Sequence, residues 1–246
     1  MTLLRLRFSK NGKVRFTSHR DLARIWERSL RQAGVPMEYS QGYSPRAKIS
    51  FGLALPTGSE SDAEYIDIHV DDRRDLPCAV DDLPGVLTAV MPPGIELTGL
   101  AELERGTPSL QQAVTSCVWD LTVTQTIEQA NQWIRRVIDS PEIVVTRERK
   151  GKAVTDDLRP SIISLEVSEA PEGQTGPTAQ NRTVLRAELA TKPRSLRPTE
   201  LLDALEPVLE PVMVRRTQQW IELDGARLEP LEVGAATAPR TRACAS

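Results

Sequence analysis

The sequence is poor in the residues that build metal centres and disulfide frameworks. Its 246 residues include three cysteines (Cys78, Cys117, Cys244) and two histidines (His19, His69). The cysteines are too few and too widely spaced for a disulfide scaffold, a CxxC zinc half-site or a three-cysteine iron–sulfur cradle. No metal or cofactor is therefore expected on this chain. Aromatic residues make up only 4%, so the cores are expected to be aliphatic. No apolar run reaches the ~18 residues of a membrane span. Met1 to Arg7 alternates leucine with charge instead of forming a secretory signal. A cytoplasmic chain with no membrane partner is expected. Signatures of the forms GxxxxGK[ST], GxGxxG after a strand, HExxH and GxSxG are also missing, which removes the common nucleotide-binding, metalloprotease and serine-hydrolase motifs.

Basic residues, by contrast, are concentrated in one place. Residues 1–50 contain eleven Lys or Arg against three acids, a local net charge of +8, although the whole chain carries −3. The remaining 196 residues hold 20 basic and 31 acidic side chains. Such asymmetry points to a polyanionic partner for the N-terminal part. Seven of the ten aromatic residues fall in the same region, at or before Tyr65. Trp26 and Phe51 are expected in the core.

Two domains are expected from the length. Leu3 to Thr17 alternates about a turn at Lys10-Asn11-Gly12 and predicts a bent strand or short hairpin. Ser18 with Asp21 resembles a capping box, and Leu22, Ile25, Trp26, Leu30 and Ala33 recur at helical spacing up to Gly34 and Pro36. Strands are predicted over 48–55 and 64–70, paired as a hairpin, with a helix over 79–91 and a strand over 95–103. This is the β-α-β-β-α-β order of a ferredoxin-like domain. The order recurs: strand 114–123, helix 126–139 with Ile127, Ala130, Ile134 and Val137 inward, and strand 142–148. A polar loop follows, then strands 161–168 and 183–190, helix 198–209 and strand 212–222. The fold class expected is α+β, two tandem ferredoxin-like domains over 1–104 and 111–224. Composition marks 169–182 as a flexible insertion and 225–246 as a mostly disordered tail.

On the first helix, Arg20, Arg24, Arg28 and Arg31 share one face, opposite the apolar stripe. Arginine forks suit phosphates, and a merely soluble helix face usually mixes signs. Only Glu27 interrupts the ridge, within reach of Arg24 or Arg31. The segment Tyr39 to Lys48 adds rings for stacking (Tyr39, Tyr43), an amide (Gln41), a glycine for close approach (Gly42) and two cations (Arg46, Lys48). His19, at the positive end of the helix, is a candidate proton acceptor for metal-free RNA cleavage. His69 lies on a strand face among aliphatic residues and is expected to be structural.

These residues resemble the radical-SAM-linked proteins, whose shared domain has no assigned function. The likeness runs through Phe16-Thr17-Ser18-His19-x-Asp21-Leu22, then Arg28 to Gly34, Ser40-Gln41-Gly42-Tyr43-x-Pro45, Ser50-Phe51 and Leu55-Pro56-x-Gly58. It covers residue 3 to about residue 100. Two positions depart from the pattern: Arg20 stands where an apolar residue is expected, and Tyr43 where phenylalanine is more usual. The resemblance implies a separate radical SAM protein as partner, using S-adenosylmethionine and an iron–sulfur cluster. The chain lacks the CxxxCxxC cluster motif, which implies an accessory role. A looser likeness, of architecture and an early histidine only, is to the tandem ferredoxin-like endoribonucleases that process CRISPR repeats. Their glycine-rich loop is missing here.

The expectation is an accessory protein that presents structured RNA, a tRNA or ribosomal RNA, to the radical SAM enzyme, with no DNA partner. The ridge would grip phosphate, Tyr39 and Tyr43 would stack on a base, and His19, Gln41, Arg46 and Lys48 would orient the target. One alternative is a module that docks on the radical SAM partner without RNA. Another is a metal-independent endoribonuclease using His19.

Overall fold

The computed structural model describes residues 2–149, 151–168, 182–236 and 240–241. The protein is mixed α+β, dominated by antiparallel strands with few helices. It divides into two compact units: unit 1 comprises residues 1–114 and 220–246, and unit 2 comprises 115–219. The division falls inside one strand, between Gln219 and Trp220. The expected insertion lies outside the described residues except at Arg182.

Unit 1 is built from β1 (Thr2–Lys10), α1 (His19–Gln32), β2 (Ile49–Phe51), β3 (Glu60–Val70), α2 (Leu83–Val90), β4 (Leu97–Leu103) and the short α3 (Leu110–Ala113). The strand order is β4-β1-β3-β2, with each adjacent pair antiparallel. Leu4, Leu6 and Phe8 project from alternate positions of β1 into a core shared with Leu22, Trp26 and Leu30 of α1 and Leu83 and Leu87 of α2. The Trp26 indole meets the Phe8 ring edge-on at 4.9 Å.

The intervening positions of β1 face the other way, and they carry part of the basic N-terminal charge into the interior. Arg5 is completely buried. Its Nε and Nη2 donate to the two carboxylate oxygens of Asp67, its direct cross-strand partner, at 2.7 and 2.9 Å. Nη1 donates to the Pro230 carbonyl at 3.0 Å. The C-terminal segment covers this face: Leu231 and Val233 are buried, and Arg7 faces Glu229 at 3.7 Å. Part of the expected disordered tail is therefore ordered packing. β11 (Ala226–Leu228) pairs with the end of β10 (Pro211–Leu223), and β12 (Arg240–Thr241) pairs with β4. A guanidinium in the sheet must be shielded and its donors satisfied, and the carbonyls of Pro230 (3.0 Å from Nη1) and Pro108 (3.5 Å from Nη2) add to the Asp67 carboxylate.

Unit 2 contains β5 (Ser116–Val123), α4 (Ile127–Asp139), β6 (Val144–Arg149), β7 (Lys152–Asp157), β8 (Ile162–Ser168), β9 (Thr183–Ala190), α5 (Pro198–Leu202) and residues 211–219 of β10. Here the order is β10-β5-β9-β8, with β5–β9 and β9–β8 antiparallel. Asp120 and Arg186, direct partners across β5 and β9, form a bidentate pair at 2.8 and 2.9 Å.

Several predicted elements change. Residues 12–16 form a 3-10 turn, not the return arm of a hairpin. Lys10 bends the chain there: its buried Nζ donates to the carbonyls of Arg15 (3.3 Å) and Thr17 (3.0 Å). The predicted strand 48–55 shrinks to the three residues of β2, and just past it the Gly52 amide still donates to the Tyr65 carbonyl of β3 at 2.9 Å. Residues 79–91 give a 3-10 turn over 80–82 followed by α2, with Pro84 in its first turn. The strand predicted over 142–148 does not join the main sheet of its unit. It forms a separate hairpin with β7, which had read as polar loop. On α4, Ile127 is 62% exposed and Trp133 takes the inward place. The helix predicted over 198–209 stops at Leu202, where α4 claims the following carbonyls: Trp133 Nε1 donates to Leu205 at 3.5 Å and Arg136 Nη1 to Glu206 at 2.9 Å.

Removing one member of the Arg5–Asp67 pair leaves the other charge buried, a loss of about 3–5 kcal/mol. Arg5→Ala is therefore expected to lower the unfolding free energy by that amount, seen as a fall in the urea midpoint with an unchanged slope. The double change Arg5→Met/Asp67→Leu is expected to cost less than Arg5→Ala alone. Equal stability of Arg5→Ala and the natural protein would contradict this account.

Candidate nucleic-acid interface

The local sequence that builds α1 also determines what it shows to solvent. Ser18 caps the helix by accepting from the Asp21 amide at 3.2 Å, while its hydroxyl donates to the Asp21 carboxylate at 2.7 Å. This hydrogen bond, with Arg24 and Arg20 nearby, holds the Asp21 carboxyl below its usual value. At the other end Gly34, with φ +75°, lets the Val35 amide reach back to the Leu30 carbonyl at 3.0 Å. Leu22, Trp26, Ser29 and Leu30 are buried. Arg20, Arg24, Arg28 and Arg31 are all exposed, within an arc of about 80°.

The pairing of these cations divides them. Arg24 engages Asp21 at 3.1 Å and not Glu27. Among the described residues, Arg20, Arg28 and Arg31 have no carboxylate partner. Elsewhere in the basic segment, Arg15 pairs with Glu60 (3.3 Å) and Lys48 with Glu38 (3.0 Å), and Lys10 is buried. The excess charge of residues 1–50 is thus not one uniform surface. What reaches solvent uncompensated is Lys13, Arg46 and the three unpaired members of the ridge.

The Tyr39–Lys48 loop is closed at its base by backbone pairing. Ser40 and Arg46 exchange bonds, with the Ser40 amide donating to the Arg46 carbonyl at 2.8 Å and the Arg46 amide to Ser40 Oγ at 3.0 Å. The Lys48 amide donates to the Glu38 carbonyl, and Glu38 and Lys48 continue onto the backbone of His69 at the end of β3. The tip turns at Gly42, φ +137°, leaving the Tyr43 ring fully exposed.

An open cleft of about 460 Å3 lies beside this loop. Tyr39, Gln41 and Lys48 line it; Gly42, Tyr43, Arg46 and His19 do not. Asp71, Arg73 and Arg74 also line it, a run of charge that sequence reasoning left unassigned. Arg73 grips Asp71 through two bonds of 2.8 and 2.9 Å, while Arg74 has no carboxylate partner among the described residues. These bonds from Arg73 hold the Asp71 carboxyl down at about 2. His19 is exposed and stacks edge-on against Phe51 at 5.0 Å. Phe16 is another site residue the sequence concealed: it is 62% exposed with the Arg15 guanidinium 4.6 Å above its ring. The exposed aromatic side chains among the described residues are Phe16, Tyr39 and Tyr43, all in this part of the chain. His69 is half-buried on β3.

Fold and surface together define a two-unit α+β protein with an exposed arginine helix and a cleft walled by charged and aromatic side chains. The chain belongs to DUF2344, a family described as an uncharacterized protein conserved in bacteria, whose model matches residues 3–198. That match takes in both units. No curated protein matches the chain. Among the described residues, no helix is long and apolar enough to cross a membrane.

The folded Asp71 carboxyl lies below its ordinary value, so the ionised form is the stabilised one. Its contribution is present above pH ~4 and is lost as the pH falls toward 2. A carbon-detected NMR titration is expected to place the Asp71 midpoint near 2. In Arg73→Gln it should return toward the ordinary carboxylate value of about 3.9. A midpoint unmoved by that substitution would refute the pairing.

Proposed function

We propose that this protein is a radical-SAM-associated accessory protein of the bacterial cytoplasm. In this proposal it binds structured RNA, of the tRNA or ribosomal class, through the basic surface of unit 1 and presents it to a separate radical SAM enzyme. The observation that carries the RNA part is the ridge. Arg20, Arg28 and Arg31 are exposed on one helix face without carboxylate partners among the described residues. Nothing in the packing of α1 needs them there, since its buried face is made by Leu22, Trp26, Ser29 and Leu30. Arginines left unneutralised on a stable helix provide backbone contact with counterion release. The neighbouring aromatic residues, Tyr39 in the cleft wall and Tyr43 at the loop tip, supply stacking surfaces for unpaired bases.

The radical SAM connection rests on the resemblance of the motif segments, and their placement is consistent with a shared surface. Gly58 accepts Phe16 against its backbone, the Gly58 amide donates to the Arg15 carbonyl at 2.9 Å, and Phe51 packs on His19. His19 has an aromatic neighbour and no ionic partner among the described residues, an environment that adds nothing to the cleavage reading. Both units are read as ferredoxin-like. Support comes from their strand orders, β4-β1-β3-β2 and β10-β5-β9-β8, which give the same sequence of first, second, third and fourth strands. In unit 2 the β6–β7 hairpin is inserted before the second of those strands.

The test is RNA binding as a function of salt. Arg20→Glu/Arg28→Glu/Arg31→Glu is expected to fold with an unchanged melting temperature. Its log–log salt slope should be shallower by roughly 2, since each lost phosphate contact removes about 0.7–0.9. Copurification of the natural protein with a radical SAM polypeptide is expected alongside. RNA affinity and slope unchanged in the triple variant would refute the RNA part. Partner capture that persists with no RNA bound would favour protein docking.

A further inference from the structure

Unit 2 has a charged cavity of its own that the proposed function does not use. It measures about 430 Å3 and is lined by Arg147, Arg194, Ser195, Arg197 and Glu200. Arg147 comes from β6, the next three from the loop between β9 and α5, and Glu200 from α5. Two carboxylates organise the arginines. Asp156 on β7 accepts from Arg147 Nε at 2.9 Å and stands 3.1 Å from Arg194 Nε. Glu200 accepts from Arg194 Nη1 at 3.0 and 3.2 Å and from the Arg197 amide at 3.0 Å. The hydrogen bond from Arg147, with Arg194 beside it, keeps the Asp156 carboxyl below its usual value.

Three permanent cations thus face two carboxylates, and donors remain unused. Arg194 Nη2 is shielded from solvent and has no acceptor. The Arg197 guanidinium has no carboxylate partner among the described residues, and the Ser195 hydroxyl is on the same loop. A buried donor without an acceptor is costly, so an anion entering this cavity gains by satisfying it. The open donors outnumber what the two coplanar oxygens of a carboxylate can accept. A phosphate offers three or more oxygens to arginine forks. The volume exceeds that of a phosphate and falls within the roughly 300–1,000 Å3 of small-ligand pockets.

We propose that this cavity binds the phosphate group of a phosphorylated ligand. The phosphate belongs either to a small molecule or to a nucleic-acid backbone. Arg197 and Arg194 Nη2 are its principal donors, with Arg147 and the two carboxylates fixing their positions.

Calorimetric titrations of the full chain test this, made in the Arg20→Glu/Arg28→Glu/Arg31→Glu background so that the ridge contributes nothing and failure of the RNA proposal leaves the result readable. The probes are inorganic phosphate, adenosine monophosphate, a ten-nucleotide RNA without terminal phosphate, and acetate. Phosphate and adenosine monophosphate are expected to bind, and Arg197→Gln is expected to weaken both at least tenfold without changing the melting temperature. Arg194→Gln should abolish binding as well, with some loss of stability. Binding of the monophosphate but not of the RNA identifies a small phosphorylated molecule. RNA binding that weakens in Arg197→Gln identifies a backbone phosphate. Either supports the proposal. No phosphate binding, equal binding of acetate, or binding indifferent to Arg197→Gln overturns it and leaves the arginines as ties between hairpin and loop.

Discussion

A guanidinium with no access to water occupies the middle of the unit 1 sheet, and the packing around it follows from that. Arg5 on β1 and Asp67 on β3 are opposite each other in the ladder, so the ion pair forms only in one register. A slip of one residue would turn Arg5 onto the apolar, helix-facing side and carry Leu4 and Leu6 off it. The pair also has to be covered, and the remaining donor must find an acceptor. The C-terminal segment does both, bringing the Pro230 carbonyl and the buried Leu231 and Val233 onto the face. The chain after β10 therefore belongs to unit 1.

With the register set, the other face of β1 presents Leu4, Leu6 and Phe8 to the helices, and α1 docks by Trp26 and Leu30. Lys10, at the end of the same strand, ties down two carbonyls of the turn that precedes α1. The helix start at Ser18 is thereby anchored to the sheet. The arginine ridge thus stands on a helix tied to the sheet at its start. Beyond β3, the same ladder continues through His69 into Glu38 and Lys48, so the loop with Tyr39 and Gln41 is held at its base while its tip stays in solvent.

Unit 2 repeats the device with the charges exchanged. Asp120 on β5 and Arg186 on β9 are again direct partners with two hydrogen bonds. The pair here is less enclosed, since the Arg186 side chain is 43% exposed.

Elements whose signal is local were legible in the sequence. The capped helix at Ser18, the Gly34 stop and the strands over 64–70 and 183–190 all depend on neighbours within a few residues. The ridge was legible for the same reason, since helical spacing alone puts four arginines on one face. What each cation does was not. Arg5 and Arg28 look alike in the chain, and only the position of Asp67, 62 residues away, makes one a core residue while the other stays in solvent. The cleft wall at Arg73 and Arg74, the exposure of Phe16, the β6–β7 hairpin and the arginine cavity of unit 2 likewise depend on contacts between distant segments. The sequence by itself determined which segments become helix or strand and how much charge they carry. The tertiary structure decided which charges are neutralised, because ion pairing and burial depend on separation in space and not on separation along the chain.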